Sequence, residues 1–137
     1  MGYSEVCFLK AEAAVRGWAG AGNAQTNYEN GIRASFAESR AGVDDALYST
    51  ANDNTYITTG NVAWNNAAPT ATKLKQIITQ KWIALYPDGI EAWAEFRRTG
   101  YPNLMPVHKS DNPDINPANG EFVKKLRYPD AERRDNP

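Results

Sequence analysis

Apolar side chains recur at helical spacing over the first hundred residues and lose that order afterwards. Val6, Cys7, Phe8, Leu9, Val15 and Trp18, backed by alanines, predict a first helix from about residue 4 to residue 18. Ser4 is its expected N-cap, and Gly20 and Gly22 its end. Apolar groups over so wide an arc imply neighbours on more than one side, with a Glu12–Arg16 pair on the exposed side. A second helix is expected from about residue 24 to residue 39, capped by Asn23, with Tyr28, Ile32 and Phe36 marking one face. Gly31 stands beside that stripe. Mid-helix it costs about 1 kcal/mol relative to alanine, which close approach of a partner helix would justify. The two helices and the short Gly-Ala-Gly-Asn turn between them predict an antiparallel hairpin.

Residues 42–70 read as irregular. Asn52-Asp53-Asn54 is a turn signal, and Tyr56-Ile57-Thr58-Thr59 suits either a short extended piece or one turn of helix. Helical order returns in a pair over residues 71–100. Leu74, Ile77, Ile78, Trp82 and Leu85 form the cleanest amphipathic stripe, starting near Thr70 or Thr72 and stopping at Pro87-Asp88-Gly89. A shorter helix follows from Gly89 or Ile90 to Arg98, closed by Gly100 and Pro102. On it Ile90, Trp93 and Arg97 share a face, and Glu91, Glu95 and Arg98 share the opposite one. Arg97 is therefore expected to face the core and find a carboxylate or carbonyl there, while Arg98 stays in solvent beside Glu95. Residues 101–137 are a loop-rich tail anchored by Phe122, Val123, Leu126 and Tyr128, unusual unless it lies over a larger body. The fold class that follows is mostly α, helix hairpins plus long irregular loops.

Composition narrows the chemistry. The 137 residues carry 15 basic and 16 acidic side chains without long blocks of like charge, so nucleic acid is not an expected partner. No apolar run is long enough to span a bilayer. Residues 1–6 lack the basic and apolar regions of a signal peptide, so Cys7 reads as a buried thiol on a helix rather than a lipidation site. His108 is the single histidine, which removes Ser-His-Asp, Cys-His and two-histidine metal arrangements. Asp44-Asp45, Glu91 and Glu95 do not form a paired acid and base. Asp111 to Glu121 offers oxygens near a glycine but misses calcium-loop spacing by one residue. No catalytic residue, metal or cofactor is expected. What remains are aromatics outside the helical stripes, Tyr56, Trp64 and Tyr101, flat side chains of the kind that stack on sugar rings.

Several strings, in order along the chain, resemble the SusD/RagB family. They are Phe8-Leu9-Lys10-Ala11-Glu12-Ala13 with Arg16-Gly17-Trp18, then Tyr28 to Phe36 with its Gly31-Ile32 centre. Ile77 to Leu85 follows, with Gly89-Ile90-Glu91-Ala92-Trp93 and Phe96-Arg97-Arg98-Thr99-Gly100-Tyr101-Pro102. Leu126-Arg127-Tyr128-Pro129 with Glu132 and Asn136 closes the series. The resemblance implies a C-terminal piece of a larger SusD-like fold, residues 1–41 being a tetratricopeptide-like pair. It further implies a non-catalytic component that binds oligosaccharide at the outer membrane, on the cell surface. There it would partner a SusC-like TonB-dependent porin, held by a lipid anchor absent from this fragment. In that reading Trp82 and Trp93 pack the helix pair and Arg97 ties it ionically. A helical-repeat scaffold for a protein partner is the alternative.

Overall fold

The computed structural model describes residues 2–41, 49–106, 108–111, 115–119, 122–123 and 129–135. Among them all regular structure is helical: α1 (Tyr3–Val15), α2 (Ala24–Arg40), α3 (Thr50–Thr58), α4 (Thr70–Ala84), α5 (Gly89–Thr99) and α6 (Asp130–Asp135). Single 3-10 turns occupy Gly60–Val62 and Pro117–Asn119. The chain divides into two compact units, Met1–Pro102 and Asn103–Pro137.

In the first unit α1 and α2 form the expected antiparallel hairpin. Asn23 caps α2 through its side-chain oxygen, which accepts from the Thr26 N–H at 2.9 Å. The start of α1 meets the end of α2 by a device the sequence pattern did not suggest. Gly2, not Ser4, is the N-cap of α1; Ser4 lies inside the helix and is buried. Its N–H and hydroxyl both donate to the Glu38 carboxylate, at 3.0 and 2.6 Å. A negative charge therefore sits at the positive end of the α1 dipole, supplied from across the hairpin. At its other end α1 stops at Val15, because Gly17 takes a left-handed φ of 78°, and Trp18 is left 67% exposed.

Gly31 does what its position required. A Cβ there would lie 2.8 Å from the Phe8 ring, so the glycine is the contact surface for α1. Phe8, Ala11, Tyr28, Ile32, Ile57 and Ile77 make the core, drawn from α1 to α4. Phe8 meets Tyr28 edge-on at 6.3 Å. The wide apolar arc of α1 is explained by neighbours on two sides, α2 and α4.

The irregular stretch is corrected in its middle. Thr50–Thr58 is a helix of more than two turns, capped by Ser49, whose hydroxyl oxygen accepts from the Asn52 N–H. Ile57 alone of its side chains is buried, so no stripe marks it in the sequence. Arg40 of α2 pairs with Asp53, fastening α3 to the hairpin. The residues read as a turn signal lie within its first turns.

In the second unit the Asn116 side chain accepts from the Ala118 N–H at 3.0 Å, shaping the 3-10 turn. Phe122 is half-buried, and Val123 is 38% exposed. The expected anchors Leu126 and Tyr128, Asp44-Asp45, and much of the Asp111–Glu121 loop lie outside the described residues.

Candidate functional site

Along α4, Thr72, Lys75, Gln76, Thr79 and Gln80 recur at i, i+3, i+4, i+7 and i+8, so hydroxyls, amides and one ammonium share a single helix face. Opposite that face runs the segment after α3. Between them lies a groove of about 550 Å³, lined on its second wall by Asn61, Val62, Ala63 and Asn65 among others. That volume falls within the usual range of small-molecule sites.

Both walls are fixed by named bonds. Gln76 Nε2 donates to the carbonyls of Asn61, Val62 and Ala63 at 3.0, 2.8 and 2.9 Å. The buried Tyr28 hydroxyl donates to the same Val62 carbonyl at 2.8 Å, and burial raises its pKa well above the ordinary phenol value. At one end Gln80, 9% exposed, accepts from the Tyr56 hydroxyl through Oε1 at 3.1 Å. That bond orients the carboxamide and leaves Nε2 unengaged by protein. Among the described residues no sealed side-chain nitrogen or oxygen lacks a partner, so this donor reaches the open space of the groove. Sequence reading passed over this wall, although the five-residue polar spacing on α4 was visible.

Of the three aromatics expected to matter, Tyr56 is 37% exposed on α3, edge-on to Phe36 at 5.4 Å. Trp64 is half-buried against Tyr28 at 5.2 Å, its indole N–H donating to Asn66 Oδ1 at 2.9 Å, with the Lys73 ammonium 6.0 Å from its ring centre. Tyr101 is half-buried after α5, its N–H donating to the Thr99 hydroxyl oxygen at 3.2 Å. Among the described residues the three rings do not touch one another, so they form no continuous platform. Trp82 is half-buried and lines a second, apolar groove of about 360 Å³ with Ile83, Tyr86 and Ala92.

The ionic tie between helices exists, but one residue along from where it was expected. Arg97 is exposed, its guanidinium 4.5 Å from the Trp93 ring centre. Arg98 instead makes a bidentate bond to Glu12 at 2.8 and 2.7 Å and two further bonds to Glu95 at 3.2 and 2.8 Å. Lys81, 1% exposed, bonds Glu5 at 3.3 Å and Glu95 at 3.0 Å, and Arg16 completes the chain on Glu12. Three acids and three bases thus join α1, α4 and α5. The face of α5 carrying Glu95 points inward and Ile90 is 81% exposed, the reverse of the apolar expectation. The buried Lys81 ammonium supplies the reason: it needs carboxylates around it.

This network is poorly suited to acid–base work. Hydrogen bonding from Arg98, reinforced by Arg16, holds the Glu12 carboxyl below its ordinary range against the opposing effect of burial. At Glu95 burial pushes upward, but bonds from Arg98 and Lys81 outweigh it and the carboxyl is also lowered. Each is committed to a cation rather than poised to exchange a proton. Among the described residues no cluster of His, Cys, Asp and Glu could hold a metal ion, and no helix is long and apolar enough to cross a membrane.

Comparison with known proteins gives the lineage. A family model described as SusD-like, Susd and RagB outer membrane lipoprotein, matches residues 1–137. The Bacteroidetes AC2a SusD-like structure is 37% identical, with a TM-score of 0.82 over 99% of this chain and 25% of that one. A SusD homologue from Bacteroides thetaiotaomicron is 35% identical, with a TM-score of 0.78 over 99% of this chain and 31% of that one. A chitin-binding SusD homologue from Flavobacterium johnsoniae is 36% identical, with a TM-score of 0.72 over 97% of this chain and 30% of that one. No curated protein matches. The chain thus spans between a quarter and a third of the structures it resembles. By a match along its whole length and by helices that superpose on those structures, it belongs to the SusD/RagB family of outer membrane lipoproteins.

Proposed function

We propose that this chain is part of a non-catalytic oligosaccharide-binding protein, one that works at the bacterial surface with a SusC-like TonB-dependent porin in glycan uptake. The observation that carries the proposal is family membership over residues 1–137, joined to 36% identity with a homologue described as chitin-binding. Support for the non-catalytic part comes from the carboxylates of the first unit. Glu5, Glu12 and Glu95 each face a lysine or arginine, so the helices are held by charge pairs rather than opened around a reactive pair. Tyr56, exposed beside Gln80, is the aromatic placed against a sugar face; Trp64 and Tyr101 serve as secondary contacts. Trp82 and Trp93 act as packing residues for the α4–α5 pair.

A second reading, a helical scaffold for a protein partner, is favoured by the apolar groove between α4 and α5. There Ile83 and Tyr86 are 49% and 88% exposed, and the neighbouring Ile90 is 81% exposed. Calorimetric titration of the full-length protein with oligosaccharides, beside affinity purification of the protein from its native membrane, separates the two. Glycan binding and co-purification of a TonB-dependent porin are the expected result. Binding to peptides but to no glycan would overturn the proposal in favour of the scaffold.

A further inference from the structure

We infer that the groove between α4 and the segment after α3 is itself a saccharide subsite, selective for sugars that carry a carbonyl-type oxygen on a substituent. The shared chemistry is an acceptor oxygen, borne either by an acetamido group or by the carboxylate of a uronic acid. The inference rests on the glycan-binding reading above and adds a place and a selectivity to it.

Three features carry it. The first is a directed donor on the groove wall. Gln80 is 9% exposed, its Oε1 is occupied by the Tyr56 hydroxyl, and its Nε2 opens on the groove. An amide donor that opens on the groove without a protein partner takes its acceptor from water or from a ligand. The second is the polarity of the walls. Asn65 spends Oδ1 on the Ala67 N–H at 2.9 Å, which turns its Nδ2 donor into the remaining function of that side chain. Lys75 adds an ammonium, and among the described residues no carboxylate lines the groove. Sites rich in donors and free of fixed anions discriminate for acceptor groups, because a ligand lacking them leaves the donors unpaired. The third is rigidity. Gln76 and Tyr28 hold three consecutive carbonyls of the opposite wall, so the groove exists before a ligand arrives and little ordering remains to be done. Val62 and Ala63 give the same wall an apolar floor suited to the C–H face of a ring.

The test is calorimetric titration of the full-length protein with three oligosaccharide series: N-acetylglucosamine oligomers, uronic acid oligomers and unsubstituted glucose oligomers. Gln80→Glu keeps the acceptor for Tyr56 and removes the Nε2 donor. Asn65→Asp keeps the bond to Ala67 and removes the Nδ2 donor. Lys75→Ala removes the charge from an exposed position. Binding of a substituted series over the unsubstituted one is expected, with Gln80→Glu and Asn65→Asp each weakening it tenfold or more at unchanged melting temperature. Loss on Lys75→Ala confined to uronic acids would mark the carboxylate as the natural acceptor; loss in neither series would mark the acetamido group. Should the three folded variants bind every glycan like the parent, the groove is no subsite while the glycan-binding function stands. Preference for the unsubstituted series alone would also overturn the inference. If the parent binds no glycan at all, both readings fall.

Discussion

Single positions show how tightly the first unit is specified. Gly31 could be read from the sequence as a point of close approach, since a mid-helix glycine needs a reason. Phe8, 1% exposed, supplies it. Alanine is the better helix former by about 1 kcal/mol, yet overpacking a closed contact costs about 1–3 kcal/mol. Gly31→Ala should therefore lower the melting temperature of the full-length protein; a rise would mean that α1 and α2 separate easily. Lys81 is the opposite case, hidden in plain sight inside an amphipathic stripe. Its ammonium lies between two buried carboxylates. Lys81→Met keeps the volume but leaves the Glu5 charge unopposed and Glu95 held by Arg98 alone, a loss of about 3–5 kcal/mol when one partner of a buried pair is removed. Native-state hydrogen exchange at the α1 and α4 amides should report it. Protection equal to the parent's would show that the pair contributes nothing. Tyr56→Ala should weaken glycan binding about threefold to tenfold, the scale of a single aromatic contact, and unchanged affinity would remove Tyr56 from the site.

At the scale of elements, legibility followed the apolar period. Hairpin α1–α2 and the pair α4–α5 were readable because stripes of Tyr28, Ile32, Phe36 and Leu74, Ile77, Ile78 stand out. Helix α3 was not, because it buries Ile57 alone and is fixed by a Ser49 cap and an ion pair. Neither device has a period. For α5 the elements were right and the facing wrong: apolar residues were sent inward, whereas the buried Lys81 draws Glu95 in and turns Ile90 out. The Arg97 to Arg98 displacement follows from the same rotation, since adjacent helical residues point about 100° apart. The polar wall of the groove was legible on α4 as residues 72, 75, 76, 79 and 80, but its significance needed the facing segment, which only tertiary structure supplies. Gln76→Ala frees the Asn61 and Ala63 carbonyls and leaves Val62 held by Tyr28 alone, and should raise hydrogen exchange across residues 60–65 while sparing α1. Unchanged exchange there would show that other contacts hold the wall.

For the whole molecule, carboxylates held by cations or by hydrogen bonds set the response to acid. Glu12, Glu38 and Glu95 all have carboxyls lowered in the folded state. Each therefore binds protons more weakly folded than unfolded, so its contribution is complete above the ordinary glutamate value of about 4.3. It fades as pH falls through the lower folded values. Melting temperature should be flat above about pH 5 and fall steeply below pH 4; a melting temperature that climbs on acidification would contradict the network. The exposed Ile83, Tyr86 and Ile90 belong to a chain that spans under a third of its structural relatives. A preparation of these 137 residues alone should self-associate, and a sharp monomeric boundary in sedimentation would argue otherwise.

At its centre stands the claim that these helices support capture of a glycan without altering it. The direct measurement is to incubate the full-length protein with an oligosaccharide it binds, then recover the sugar and determine its length distribution by mass spectrometry. Saturable binding with every chain returned at its original length is the predicted result. Shortened products that appear in proportion to protein, and persist through repurification, would contradict it.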